Sequence, residues 1–181
     1  MHSLKNDSGN LMYYSSLCSG IIKSPLGDLH ALADDKKLIY LGFEPHEQAA
    51  LDKPLLRAIL KKQPVVVKKN DVLALLEREL ALYFNHQLTQ FTAPIAPIGT
   101  PFQQQVWQAL TIIPHGQTRS YKEQATTIGA PKAYRAVGAA NGANMIVIVI
   151  PCHRVIAHNG ELSGYTGTLE RKQWLLNHEK K

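Results

Sequence analysis

The sequence predicts a chain of two unlike halves: an α/β N-terminal domain, then a mainly α C-terminal domain carrying a winged helix-turn-helix-like motif. Three observations predict it. Short apolar runs separated by turn residues fill the first half. Pro94, Pro97, Gly99 and Pro101 interrupt the middle, as an extended connection between domains would. Two capping boxes and several Gly-terminated helical segments fill the second half.

The elements follow in order. Residues 1–10 read as a polar tail and 11–90 as the α/β domain. Leu11 to Ile22 reads as a strand, Ser24-Pro25-Leu26-Gly27 as a turn, and Leu29 to Ala33 and Leu38 to Phe43 as strands. Val65 to Val67 can add another. Asn70 can cap a helix over about 71–84, with Val72, Leu75, Leu76, Glu79 and Leu80 at helical spacing. Residues 91–100 form the linker and 101–181 the second domain.

In that second domain Thr100 opens a helix with Pro101 at its first position and Gln103 completing the capping box. Pro114-His115-Gly116 ends it. Ser120 and Glu123 form the second box, opening a short helix that stops at Gly129. Pro131 starts a further helix that runs to Gly142. Two short helices joined by a Gly-containing turn read as a helix-turn-helix, and the Ala/Gly-rich face of the second one can lie close to a duplex. That face offers few hydrogen-bond donors to base edges, so sequence-independent binding is expected. Asn159-Gly160 is a hairpin-turn signal for the wing. A last helix spans about 168–178.

The composition, 45% hydrophobic and 19% charged, is that of an ordinary globular protein. No signal-peptide pattern opens the chain, and no apolar run approaches the ~20 residues needed to cross a bilayer. Two cysteines, Cys18 and Cys152, make no disulfide framework, so a reducing, cytoplasmic setting is expected. The net charge of +6 is uneven: residues 1–90 contribute +1 and residues 91–181 contribute +5. An excess of cations in one half suits a polyanionic partner.

The most informative stretch is Ile150-Pro151-Cys152-His153-Arg154-Val155. It sets a cysteine at the exit of the apolar run Met145 to Ile150. An adjacent His and a nearby Arg are surroundings that favour a thiolate. The alternative is a small apolar cysteine ending a buried strand, because neighbouring side chains on a strand point to opposite faces.

A wider pattern decides between them. Gly116-Gln117-Thr118-Arg119-Ser120-Tyr121, then Pro131-Lys132-Ala133-Tyr134-Arg135-Ala136-Val137-Gly138, Asn144 and Pro151-Cys152-His153-Arg154-Val155-Ile156 closely resemble the O6-alkylguanine-DNA alkyltransferases. The likeness continues through Gly164-Tyr165 and Lys172-Gln173-Trp174-Leu175-Leu176 to His178-Glu179. It is strong over 99–179 and loose in the first half, where Ser24-Pro25-Leu26-Gly27 carries it.

The resemblance implies a ribonuclease H-like first domain and a DNA-repair activity. In that activity Cys152 attacks the alkyl carbon on O6 of a flipped-out guanine, or O4 of thymine, once and irreversibly. It implies that His153 takes the thiol proton through a water, that Glu179 holds and polarises His153, and that Asn144 braces the backbone. Tyr121 would donate to N3 of the guanine. Arg135 would fill the gap left in the duplex, with Tyr121 and Lys122 also on the DNA side. Val155, Tyr165 and Thr166 would line the base pocket. No cofactor and no metal are expected; Cys18 and His30 lack a ligand set at zinc-finger spacing. The expected partner is double-stranded DNA containing O6-alkylguanine, bound by a monomer with no membrane contact.

Two positions depart from the family pattern: Met145 follows Asn144 where proline is usual, and Thr168 follows Gly167 where glycine is usual. Two other readings stay open on residues alone. One is a noncatalytic helix-turn-helix damage-binding protein, the other a cysteine hydrolase.

Overall fold

The computed structural model describes residues 16–45, 48–49 and 53–180. The tail expected over 1–10 and the start of the strand expected from Leu11 lie outside the described residues. Strand β1 (Leu17–Ile22) pairs antiparallel with β2 (Leu29–Ala33), and β2 pairs antiparallel with β3 (Leu38–Gly42). The β1–β2 turn closes through Gly27 N–H donating to Ser24 O at 3.1 Å. Strand β4 (Val65–Val67) lies parallel to β1 on its other side, giving the order β3-β2-β1-β4.

Helix α1 (Pro54–Leu60) was not expected from sequence. It spans barely two turns and has no side-chain cap, so neither periodicity nor a capping signature marks it. Helix α2 (Asp71–Phe84) forms as its pattern predicts, with Asn70 Oδ1 accepting from Leu73 N–H at 3.0 Å. Its apolar stripe Val72, Leu73, Leu76, Leu80 and Tyr83 is buried against the sheet and the second half.

The open edge of β3 is where the two halves join. Leu38 N–H donates to Pro94 O and Ala96 N–H donates back to Leu38 O, both at 2.8 Å. Three residues on, Leu41 N–H donates to Met145 O at 2.8 Å and Val147 N–H to Leu41 O at 2.9 Å. The segment expected as a linker therefore lies extended along the sheet, and the run before Cys152 is anchored on the same strand. One buried cluster includes Leu29, Leu38, Leu41 and Tyr83 from the first half and Trp107, Ile146, Cys152, Val155 and Leu175 from the second.

In the second half helix α3 (Pro101–Thr111) carries the complete Thr100–Gln103 capping box, and α4 (Tyr121–Thr127) the Ser120–Glu123 box. Helix α5 (Tyr134–Gly142) begins later than the expected Pro131, because residues 131–133 form a turn in which Ala133 N–H donates to Ala130 O at 2.8 Å. Buried polar groups fix these helices: Asn141 Nδ2 donates to Gln124 Oε1 at 2.7 Å, joining α5 to α4, and Trp107 Nε1 to Ala140 O at 2.8 Å, joining α3 to α5. Strand β5 (Arg119–Ser120) pairs parallel with β6 (Val155–Ile156), tying the cysteine segment to the start of α4. The expected wing is a turn closed by Ala157 N–H to Glu161 O at 3.0 Å. Helix α6 (Leu169–Glu179) is the last element of the described residues.

Candidate active site

The apolar run before the cysteine is not a strand. Ile148 has φ 71°, and Ile150 N–H donates to Ile146 O at 3.0 Å, so the chain coils tightly into a 3-10 turn over Cys152–Arg154. That turn replaces the alternation of a strand. It buries Cys152, His153 and Arg154 together rather than on opposite faces.

Asn144 holds this coil from inside. Its Nδ2 donates to Ile150 O at 2.9 Å and to Cys152 Sγ at 3.2 Å, while its Oδ1 accepts from Ile146 N–H at 2.9 Å. The amide is 1% exposed, and Met145 beside it is held by β3, so the usual proline is not needed to fix the loop.

His153, at 0% exposed, meets Glu179 at the far end of the chain. The distance from Nε2 to Oε1 is 2.8 Å. The same carboxylate accepts from Arg154 Nε at 2.8 Å and Nη2 at 2.9 Å, Tyr83 Oη at 2.8 Å, and Gly116 N–H at 3.2 Å. Gly116 is required there: at φ 75° a Cβ would sit 2.7 Å from Glu179 O. Burial alone would push the Glu179 carboxyl up. The hydrogen bonds and charges of His153 and Arg154 outweigh it and hold the group well below the usual carboxylate range.

An ionised carboxylate only accepts, so His153 carries its proton on Nε2 and leaves Nδ1 as a bare acceptor. Nδ1 has no hydrogen-bond partner among the described residues. Burial lowers the His153 pKa, keeping the ring neutral at pH 7 despite Glu179. Burial likewise pushes the Cys152 thiol up, against the lowering effect of Asn144. The expected thiolate-favouring role of Arg154 is therefore corrected. Its guanidinium is spent on Glu179 and on Ile113 O, at 2.6 Å from Nη1, and the resting sulfur is a neutral thiol.

The far side of the cysteine is framed by Tyr121, Tyr165 and Lys172. Tyr121 Oη donates to Ser163 O at 2.9 Å. Tyr165 packs edge-on to His153, ring centroids 6.5 Å apart, and its buried hydroxyl has no partner among the described residues. Lys172, 0% exposed, donates through Nζ to Val155 O and Ser163 O at 2.6 Å each, and burial lowers its pKa to about 8. Val155 is buried. Thr166 is exposed, with Oγ1 donating to Gly142 O at 3.0 Å, beside a cleft of about 270 Å³ that Asn144 also lines.

Asn144 with Cys152 and His153 with Glu179 thus form two hydrogen-bonded pairs joined through the Cys152-His153 peptide, with Tyr121, Val155 and Tyr165 around them. Lys122 and Arg135 stand apart, exposed on α4 and α5. Between residues 101 and 160 the sole acidic residue is Glu123, against Arg119, Lys122, Lys132, Arg135 and Arg154. Tyr83 and the Lys172 amine carry no local signature, and Gly116, legible as the end of a helix, gives no sign in sequence of its contact with Glu179. Among the described residues no three His, Cys, Asp or Glu side chains are grouped to hold a metal, and no helix is long and apolar enough to cross a membrane.

Comparison with known proteins places this arrangement. Residues 12–97 match the ribonuclease-like domain of 6-O-methylguanine DNA methyltransferase, and residues 101–181 match its DNA-binding domain. A methylated-DNA–protein-cysteine methyltransferase of Methanosarcina barkeri is 42% identical over 168 residues, 93% of this chain and 97% of the relative. One from Salmonella typhimurium is 56% identical over 105 residues, 58% of this chain and 61% of the relative. The crystal structure of Mycobacterium tuberculosis OGT in complex with DNA superposes with a TM-score of 0.75 at 39% identity, covering 91% of this chain and 92% of that one. The chain belongs to the 6-O-methylguanine DNA methyltransferase family.

Proposed function

We propose that this protein repairs DNA by transferring a methyl or larger alkyl group from O6 of guanine, and from O4 of thymine, to Cys152. The observation that carries the reading is a neutral, buried thiol held by Asn144 next to a histidine whose free nitrogen is a base and whose other nitrogen is fixed by Glu179. A raised thiol pKa makes such a base necessary. It also spares the cysteine from idle oxidation, since thiolates are the reactive form.

The reaction balances without a cofactor. His153 Nδ1 takes the Cys152 proton through a water, and the sulfur attacks the alkyl carbon as the carbon–O6 bond breaks. O6 becomes a carbonyl, and a proton equivalent to the one lost by the thiol reaches the guanine ring, so guanine leaves neutral. Tyr121 assists by donating to N3. Its hydroxyl has one proton, which in the free protein is given to Ser163 O, so the hydroxyl must turn when the base enters. Lys172 then keeps Ser163 O satisfied, and this carbonyl is not left bare.

A base inside a stacked duplex cannot reach a sulfur that is 3% exposed, so the nucleotide must flip out, at about a few kcal/mol. Arg135, exposed on α5, fills the gap left behind, and Lys122 contacts phosphate. Val155, Tyr165 and Thr166 line the base pocket, with the unpartnered Tyr165 hydroxyl available to the base. The protein acts as a cytoplasmic monomer, each copy once, because a thioether offers no facile leaving group.

The test is loss of O6-methylguanine from a defined duplex, followed by nucleoside chromatography. Restored guanine equal to the protein added, with Cys152→Ala inert yet still bound to the duplex, supports the reading. Unchanged O6-methylguanine under wild-type excess refutes it.

A further inference from the structure

We infer that Tyr83, contributed by the N-terminal half, is a positioning residue that sets the basicity of His153 through the carboxylate they share. The inference rests on the alkyl-transfer reading for its meaning, and on one contact for its geometry. Tyr83 Oη donates to Glu179 Oε1 at 2.8 Å, and His153 Nε2 donates to the same oxygen at 2.8 Å. Tyr83 and Glu179 are 96 residues apart in sequence and belong to different halves.

Tyr83 is built into this position. It lies in the last turn of α2, is 1% exposed, and its own carbonyl accepts from His178 Nε2 at 2.9 Å. Its ring packs on Phe84, Phe91, His115 and His178 with centroids between 5.1 and 6.0 Å. Burial drives its phenol far above the ordinary tyrosine value, so it remains a donor at any working pH.

The direction of the effect follows from charge. Every donor on Glu179 drains negative charge from the oxygens that His153 feels. Arg154 does so with a full positive charge, its Nη2 on the same Oε1 at 2.9 Å; Tyr83 adds a neutral donor to that oxygen, the one His153 itself uses. Removing the hydroxyl makes Oε1 a stronger acceptor, which favours protonated His153 and raises its pKa. A protonated His153 cannot take the thiol proton, so the acid limb of the transfer rate moves to higher pH.

The other charged and titratable groups around the pair are Arg154 and Cys152 on the 3-10 turn, His115 after α3, Lys172 and His178 on α6, and Tyr165 in the loop before it. His86 stacks on His178 at 4.0 Å, one shell further out. Of these, Arg154 alone shares the carboxylate with Tyr83 and His153.

The experiment is the pH dependence of single-turnover methyl transfer from an O6-methylguanine duplex, for wild type and Tyr83→Phe. Phenylalanine keeps the ring packing and removes only the donor. The acid limb should move up by about half a pH unit, slowing transfer about threefold on the acid side and less toward the plateau. NMR titration of the His153 ring nitrogens in both proteins should show the same upward shift without any transfer taking place. A uniform slowing with an unmoved limb and an unmoved His153 titration would overturn the inference. If the wild type transfers no methyl, the alkyl-transfer reading fails, and the NMR titration still decides whether Tyr83 controls His153.

Discussion

Replacing Glu179 by glutamine removes one charge and keeps the shape of the side chain. In the native protein that charge collects five hydrogen bonds, from His153, Arg154 twice, Tyr83 and Gly116. Glu179 and Arg154 are 4% and 6% exposed, so solvent cannot replace what is lost. Glutamine leaves the guanidinium buried with Ile113 O as its remaining full acceptor, and one end of the amide presents hydrogens to groups that also donate. Breaking a buried pair in this way costs about 3–5 kcal/mol. The retained amide oxygen argues for the lower end, about 3 kcal/mol, or about 6–12 °C in Tm for a chain of this size.

The cost has a pH signature. The folded-state pKa of Glu179 lies well below its unfolded value of about 4.3. A depressed carboxylate stabilises the fold fully above the unfolded value, and that stability is lost as pH falls toward the folded one. The gap between wild type and Glu179→Gln should therefore be constant from about pH 6 to 8 and shrink below about pH 4. Urea unfolding at a series of pH values measures it. A gap under about 1 kcal/mol at pH 7, or one that does not narrow in acid, would refute the assignment of Glu179 as a buried charged hub. Transfer should also slow by about 10²–10⁴, by analogy with serine hydrolases whose histidine loses its carboxylate.

Asn144→Ala strips donors from Ile150 O and Cys152 and an acceptor from Ile146 N–H; it should destabilise by about 1–3 kcal/mol in denaturant titration and slow transfer. Lys172→Met removes the Nζ donor from Val155 O and leaves Ser163 O with Tyr121 Oη alone, which ties up that hydroxyl; it should weaken transfer more than duplex binding in parallel rate and gel-shift assays. Lys122→Ala should lower the slope of log affinity against log salt by about 1 without changing sequence preference, whereas Arg135→Ala should slow transfer most in fully paired duplexes. Wild-type transfer should persist below pH 6.5 before it falls, because burial holds the His153 pKa down; a limb above the ordinary histidine value would contradict that.

Much of the fold was legible because its signals are local. Asn70, Thr100–Gln103 and Ser120–Glu123 declare helix starts by side chains within a few residues of the backbone they cap. Helix α1 lacks such a signal. Helix α5 starts past Pro131 because proline permits a first turn without requiring one. The Cys-His step misled in another way: strand alternation would separate the two side chains, and a 3-10 turn buries both. Resemblance suggested the roles of His153 and Glu179, but what surrounds them depends on distant segments. Tyr83, Gly116 and Arg154 meet at one carboxylate because β3 receives the 145–147 run on its edge and α2 packs behind it. No window of sequence contains that convergence.

Peptide mass spectrometry after mixing the protein with an equimolar O6-methylguanine duplex reads transfer to Cys152 itself. One added methyl should appear on the peptide containing Cys152, none on Cys18, and none anywhere in Cys152→Ala. An unmodified Cys152 beside restored guanine, or a methyl on another residue, would contradict it.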